Sequence, residues 1–165
     1  MACSSQPRAP KQVDITLNPT QSAQTYLMRA DSSTGPIKND WLIMALKAAV
    51  QEKQIKQANL LLFRLTKETL SEPQLAEWQL ARARLLLSNG QYKTALKQLT
   101  FKPWWKLNDT QWLSFYQIQA SLYIHLERWL DAARSLTGAY DLSETNNKAA
   151  IAQQIWQKLE PLLPE

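Results

Sequence analysis

LLLSNGQYKTALKQL, residues Leu85–Leu99, reads as one helix ending, a break at Gly90, and a second helix starting at Tyr92 and carrying Ala95 and Leu99. The same columns stand on both sides. Upstream they are Ile55, Ala58 and Leu62; downstream they are Trp129, Ala132 and Leu136, each set displaced by 37 residues. Self-similarity at a fixed period of this size marks a stacked repeat architecture. The fold class expected from it is all-α, a solenoid of tetratricopeptide-like helical hairpins with flanking cap helices.

Composition agrees. The 165 residues suffice for one domain, and 45% are hydrophobic, which excludes compositional disorder. Only three Gly occur beside abundant Ala, Leu, Gln and Lys, a mix that favours helix. The net charge of +5 is spread thinly, so the surface prefers acidic partners mildly and no nucleic-acid partner is expected. One Cys and one His exclude an internal disulfide and argue against a structural zinc site. No apolar run reaches the roughly 18 residues of a membrane-spanning helix.

Along the chain, residues 1–18 are polar, contain Pro7 and Pro10, and lack helical period, so a flexible tether is expected. Cys3, between Ala2 and Ser4, reads either as a free thiol near a start codon or as the first residue of a mature lipoprotein. A first helix is expected from about Pro19 to Ser32, as a cap or the second half of an incomplete repeat. Asn39 or Asp40 is expected to cap a helix from Trp41 to about Lys53, paired with one from Ile55 to about Lys67. Ser71 and Pro73 open a helix to Asn89, Asn108 or Asp109 opens one to about Glu127, and Ser143 opens a last one over about 144–158. The domain is expected over 19–165, with repeat units of about 40–70, 72–102 and 109–140. The segment 144–160 falls where a fourth unit would begin, as a partial unit or a cap.

Tyr116-x2-Gln119-Ala120-x2-Tyr123, followed by Ala132-x3-Leu136, resembles the tetratricopeptide signature. Departures are the 37-residue period, Leu46 in place of a small residue, and no Pro at the repeat end. Ala58, Ala95 and Ala132 are expected at the helix crossings, where only a small side chain permits close approach. The aromatic or Ile three residues earlier should plug the bend.

Lys102-Pro-Trp-Trp-Lys106 either packs between units two and three or offers a stacking platform for bases or sugars. His125 stands alone near a helix end and reads as a surface or capping residue rather than a ligand. No nucleophile motif and no Gly-rich phosphate loop appear. No catalytic residue, cofactor or metal site is therefore expected, and an enzyme is not.

The segment NDWLIMALKAAVQEKQIKQANLLLFRL, residues 39–65, is similar to the start of the N-terminal domain of the LpoA family. These are outer-membrane lipoproteins of Gram-negative bacteria that activate penicillin-binding protein 1A. The resemblance implies a non-catalytic periplasmic scaffold and interaction arm in cell-wall synthesis. It implies lipidation at Cys3, anchorage to the periplasmic side of the outer membrane, and proximity to peptidoglycan. It also implies that the contact with penicillin-binding protein 1A is made mainly by a C-terminal domain outside these residues. A chain without its leader is expected to be soluble and unlipidated. The competing readings are a generic peptide-binding adaptor and a glycan-binding or lytic domain.

Overall fold

The computed structural model describes residues 13–65, 69–99 and 106–160. Among them lie eight helices and no strand: α1 (Ala23–Asp31), α2 (Pro36–Gln51), α3 (Ile55–Arg64), α4 (Glu72–Ser88), α5 (Tyr92–Leu99), α6 (Asp109–His125), α7 (Trp129–Leu142) and α8 (Thr145–Leu159). Helices α2/α3, α4/α5 and α6/α7 pair as hairpins, and α2, α4 and α6 lie side by side. The expected all-α solenoid of helical hairpins is what forms.

The three hairpin turns share one hydrogen-bond pattern. Gln54 N donates to Ala49 O, Gln91 N to Leu86 O, and Arg128 N to Tyr123 O, at 2.8–2.9 Å. This closes the helix end in the Schellman manner, which needs one residue in the left-handed region. Those residues are Lys53 (φ 57), Gly90 (φ 72) and Glu127 (φ 57). Glycine meets the requirement without strain only in the middle turn. The outer two hold a side chain there because the surrounding bonds fix the geometry.

Ala58, Ala95 and Ala132 are each 0% exposed, and each donates its N–H to the residue four back at 2.9 Å. The three crossings are thus equivalent, as the period requires. The bend column is less uniform. Tyr92 and Trp129 are half-buried, but Ile55 is 42% exposed. Core residues fall into successive clusters that share α4. Trp78, Ala81 and Leu85 join α1–α3, whereas Leu80 and Ala83 join α5 and α6. A core that continues from unit to unit is the hallmark of a quasi-one-dimensional array.

Several boundaries differ from expectation. Helix α2 begins at Pro36 behind Gly35 (φ 63), not at Trp41. Proline tolerates that first turn because it has no N–H to leave unpaired. Helix α1 begins at Ala23, capped by Ser22, because the Tyr26 hydroxyl accepts from the N–H groups of Thr20 and Gln21 and holds them outside the helix. Helix α8 starts behind Glu144, while Ser143 donates to Ala139 O instead. At the inner end of the expected tether, residues 1–18, the chain packs against the core. Ile15 is buried and Val13 packs against the same core, so apolar burial fixes residues that composition marked as polar linker. Residues 1–12 lie outside the described residues.

Gly138 of α7 packs directly against the Tyr116 ring of α6. A Cβ there would stand 2.8 Å from the Tyr116 ring, itself stacked on Trp112. Gly138→Ala gains helix propensity of about 1 kcal/mol. It must also displace a ring that Trp112 restrains, and overpacking costs roughly 1–3 kcal/mol. The net expectation is a loss of about 1 kcal/mol in urea denaturation. A midpoint at or above that of the parent chain contradicts it.

Candidate interaction groove

The first helices of the three hairpins, α2, α4 and α6, line a groove with a volume of about 720 Å³. Thr16–Pro19 and Asn147 of α8 complete its lining. A polar ladder that repeats with the fold runs between the same three helices and reaches the groove at Lys47, Arg84 and Ser114. In α4, Gln74 accepts at Oε1 from the N–H of its own N-cap, Ser71 (3.0 Å). Through Nε2 it donates to Asp40 Oδ1 (2.6 Å) and Pro36 O (3.3 Å) at the start of α2. In α6, Gln111 does the same with Asn108 N (3.2 Å), Glu77 Oε1 (3.1 Å) and Pro73 O (3.4 Å). One amide therefore caps its own helix and clamps it to the preceding unit. A side-chain amide suits this double role because it carries an acceptor oxygen and, on a separate atom, two donors.

A basic residue sits 37 positions apart in α2 and α4, as Lys47 and Arg84. Lys47 Nζ is 2.8 Å from Glu77 Oε2, and both side chains are 5% exposed. The same ammonium donates to Ile15 O at 2.6 Å, tying the N-terminal segment across the groove. Burial pulls Lys47 below the usual lysine range, Glu77 pulls it back, and nearby Arg84 adds to the lowering. Arg84 donates to Ser114 Oγ at 3.1 Å. Burial likewise pulls its guanidinium below the usual arginine range, with Glu77 opposing. Buried ions persist only when paired and hydrogen-bonded, so Glu77 is the hub that serves Lys47, Gln111 and, through space, Arg84.

Residues singled out from sequence sit elsewhere. Cys3 lies outside the described residues, as do Lys102–Trp105. Lys106 is described, is exposed, and pairs with Glu72 at 2.6 Å. His125 is exposed and stacks on Tyr92 across the junction between units, with ring centroids 4.5 Å apart and 2° between planes. No cluster able to hold a metal ion occurs among the described residues. Nor is any described helix long and apolar enough to cross a membrane. The ladder residues stand outside the apolar columns from which the repeat is read. The signal was present, since Asp40/Glu77, Lys47/Arg84 and Gln74/Gln111 all carry the 37-residue period.

Comparison with known proteins gives this scaffold its relatives. The family model described as LppC putative lipoprotein matches residues 16–163. The chain belongs to that family. It is 50% identical over 96% of its length to the penicillin-binding protein activator LpoA of Vibrio cholerae serotype O1, and 42% identical over 98% to the protein of that name from Aliivibrio fischeri. The chain spans about a quarter of the length of these relatives, 26% and 27%. Among solved structures, the amino-terminal domain of E. coli LpoA superposes with a TM-score of 0.76 at 22% identity, covering 88% of this chain and 64% of that one. Full-length LpoA from Haemophilus influenzae gives a TM-score of 0.72 at 16% identity, covering 88% and 27%. At such identities the structural likeness speaks for the fold alone. The resemblance read from residues 39–65 is borne out by the family match, and the helical-hairpin fold is the one its members share.

Proposed function

We propose that this chain is the membrane-proximal, non-catalytic helical arm of an outer-membrane lipoprotein that activates a peptidoglycan synthase, penicillin-binding protein 1A. The observation that carries the reading is 50% identity across nearly the whole chain to a protein named as a penicillin-binding protein activator. The match to a family described as a putative lipoprotein supports a lipid anchor, which this reading assigns to Cys3. In this reading the tether lies before Val13, and the units of about 40–70, 72–102 and 109–140 add rigid length. The segment 144–160 is a partial or capping unit, and the main synthase contact belongs to a domain outside these residues. The function would follow from geometry. Tethering an arm to a membrane raises the effective concentration of whatever it presents to a partner within reach. A bacterial lipoprotein carries several acyl chains, and multiple chains anchor far more firmly than one.

The test is Cys3→Ala in the full-length, leader-bearing protein, followed by separation of membrane and soluble fractions. Release into the soluble fraction, with loss of synthase stimulation in cells, is the expected result. Normal membrane fractionation of that variant defeats the anchor.

A further inference from the structure

The amide–carboxylate contact of the ladder forms twice, Gln74 with Asp40 and Gln111 with Glu77, whereas the base–carboxylate contact forms once, Lys47 with Glu77. Positions 40, 77 and 114 are equivalent by the 37-residue period and hold Asp, Glu and Ser. Lys47 meets the carboxylate of Glu77 thirty residues on. Arg84, its counterpart, meets the hydroxyl of Ser114 at the same spacing. A guanidinium has five donors in a planar fork suited to a carboxylate, and one neutral hydroxyl leaves that fork largely unused. Arg84 and Ser114 both face the groove, which also carries Lys47 and Lys53 and has neither Asp nor Glu in its lining.

We propose that the groove binds an acidic peptide segment, whose carboxylate pairs with Arg84 in the place that Glu77 fills for Lys47. Charge complementarity selects the class of ligand. The volume of about 720 Å³ exceeds what one small anion fills, so several residues of extended chain are accommodated. No aromatic side chain lines the groove, so nothing there stacks on bases, which argues for peptide over single-stranded nucleic acid. Its concave form argues against a planar membrane surface. Gln51, Ser88, Thr110 and Gln117 in the lining supply neutral hydrogen-bonding groups for a peptide backbone. The proposal goes beyond the lipoprotein reading and does not need it, because its test involves neither membrane nor synthase.

The test is isothermal titration calorimetry of the 165-residue chain with acetylated, amidated Gly-Glu-Gly-Glu-Gly. Its Lys-for-Glu counterpart and inorganic phosphate serve as separate arms, and an unacidic Gly-Ser-Gly-Ser-Gly with a free C-terminus separates terminal from side-chain carboxylates. The acidic peptide is expected to bind and the lysine peptide not to. Ser114→Glu supplies the missing acid from within the fold. It should weaken acidic-peptide binding about tenfold or more while raising Tm. Arg84→Gln should weaken binding to a similar degree, and if that variant fails to fold, Ser114→Glu still decides. Three results overturn the proposal: no binding of the acidic peptide, equal binding by the parent chain and Ser114→Glu, or phosphate binding as tightly as the peptide. Binding of the free-terminus peptide at matching affinity keeps the site and assigns it to chain ends.

Discussion

Glu77→Ala is expected to lower folding stability by about 3–5 kcal/mol, the usual consequence of leaving a buried ion without its partner. Lys47 would then be buried with only the carbonyl of Ile15 as a hydrogen-bond partner, and Gln111 would lose its carboxylate acceptor. The stranded ammonium can shed part of this cost by losing its proton, since burial already pulls it below the usual lysine range. The double variant Lys47→Met, Glu77→Leu removes both charges together. It is expected to recover most of the loss, because apolar side chains of similar size replace buried pairs at little net cost. Urea denaturation of the three proteins measures both effects. A single variant that loses under about 1 kcal/mol would mean the pair is solvated in solution.

The second large effect concerns the crossings. Ala95→Trp should cost at least about 1–3 kcal/mol, because Ala95 is wholly buried in the cluster with Leu80, Ala83, Leu99 and Phe115. An indole cannot fit without driving α5 away from its neighbours. Lys93→Trp, on the exposed face of the same helix, provides the control and should stay within about 0.5 kcal/mol of the parent chain. Equal urea midpoints for the two variants would remove the claim that a small residue sets the crossing distance.

These two sites differ in how openly the sequence displays them. Ala58, Ala95 and Ala132 announce themselves, since a periodic small residue among periodic leucines has few physical meanings other than close helix packing. Lys47, Glu77 and Gln111 do not. Lys and Glu occur all over a helical surface, and their period is visible only once the apolar columns have fixed the repeat. Asp40 illustrates the ambiguity. From sequence it is a plausible helix cap, but in the fold it lies inside α2 and accepts from Gln74 of α4. A short polar side chain can serve a local or a distant partner, and local pattern cannot choose between them. Ser71, and Asn108 with Asp109 as its alternative, were legible as caps by residue type. In the fold Ser71 and Asn108 each have a Gln three residues on that accepts from the N-cap N–H, a wholly local arrangement.

The sequence by itself determined the helices, the 37-residue period, the three equivalent alanine crossings and the turns at Lys53, Gly90 and Glu127. All of these rest on interactions within about ten residues, or on a repetition that shows without coordinates. Tertiary structure alone decided which charges are buried. It also decided that Ile15 and Val13 belong to the core rather than to a tether, and that Arg84 faces a hydroxyl where its counterpart faces a carboxylate. Those outcomes depend on which helix lies beside which. A charge costs or gains free energy according to neighbours thirty or more residues away, and no local pattern records them.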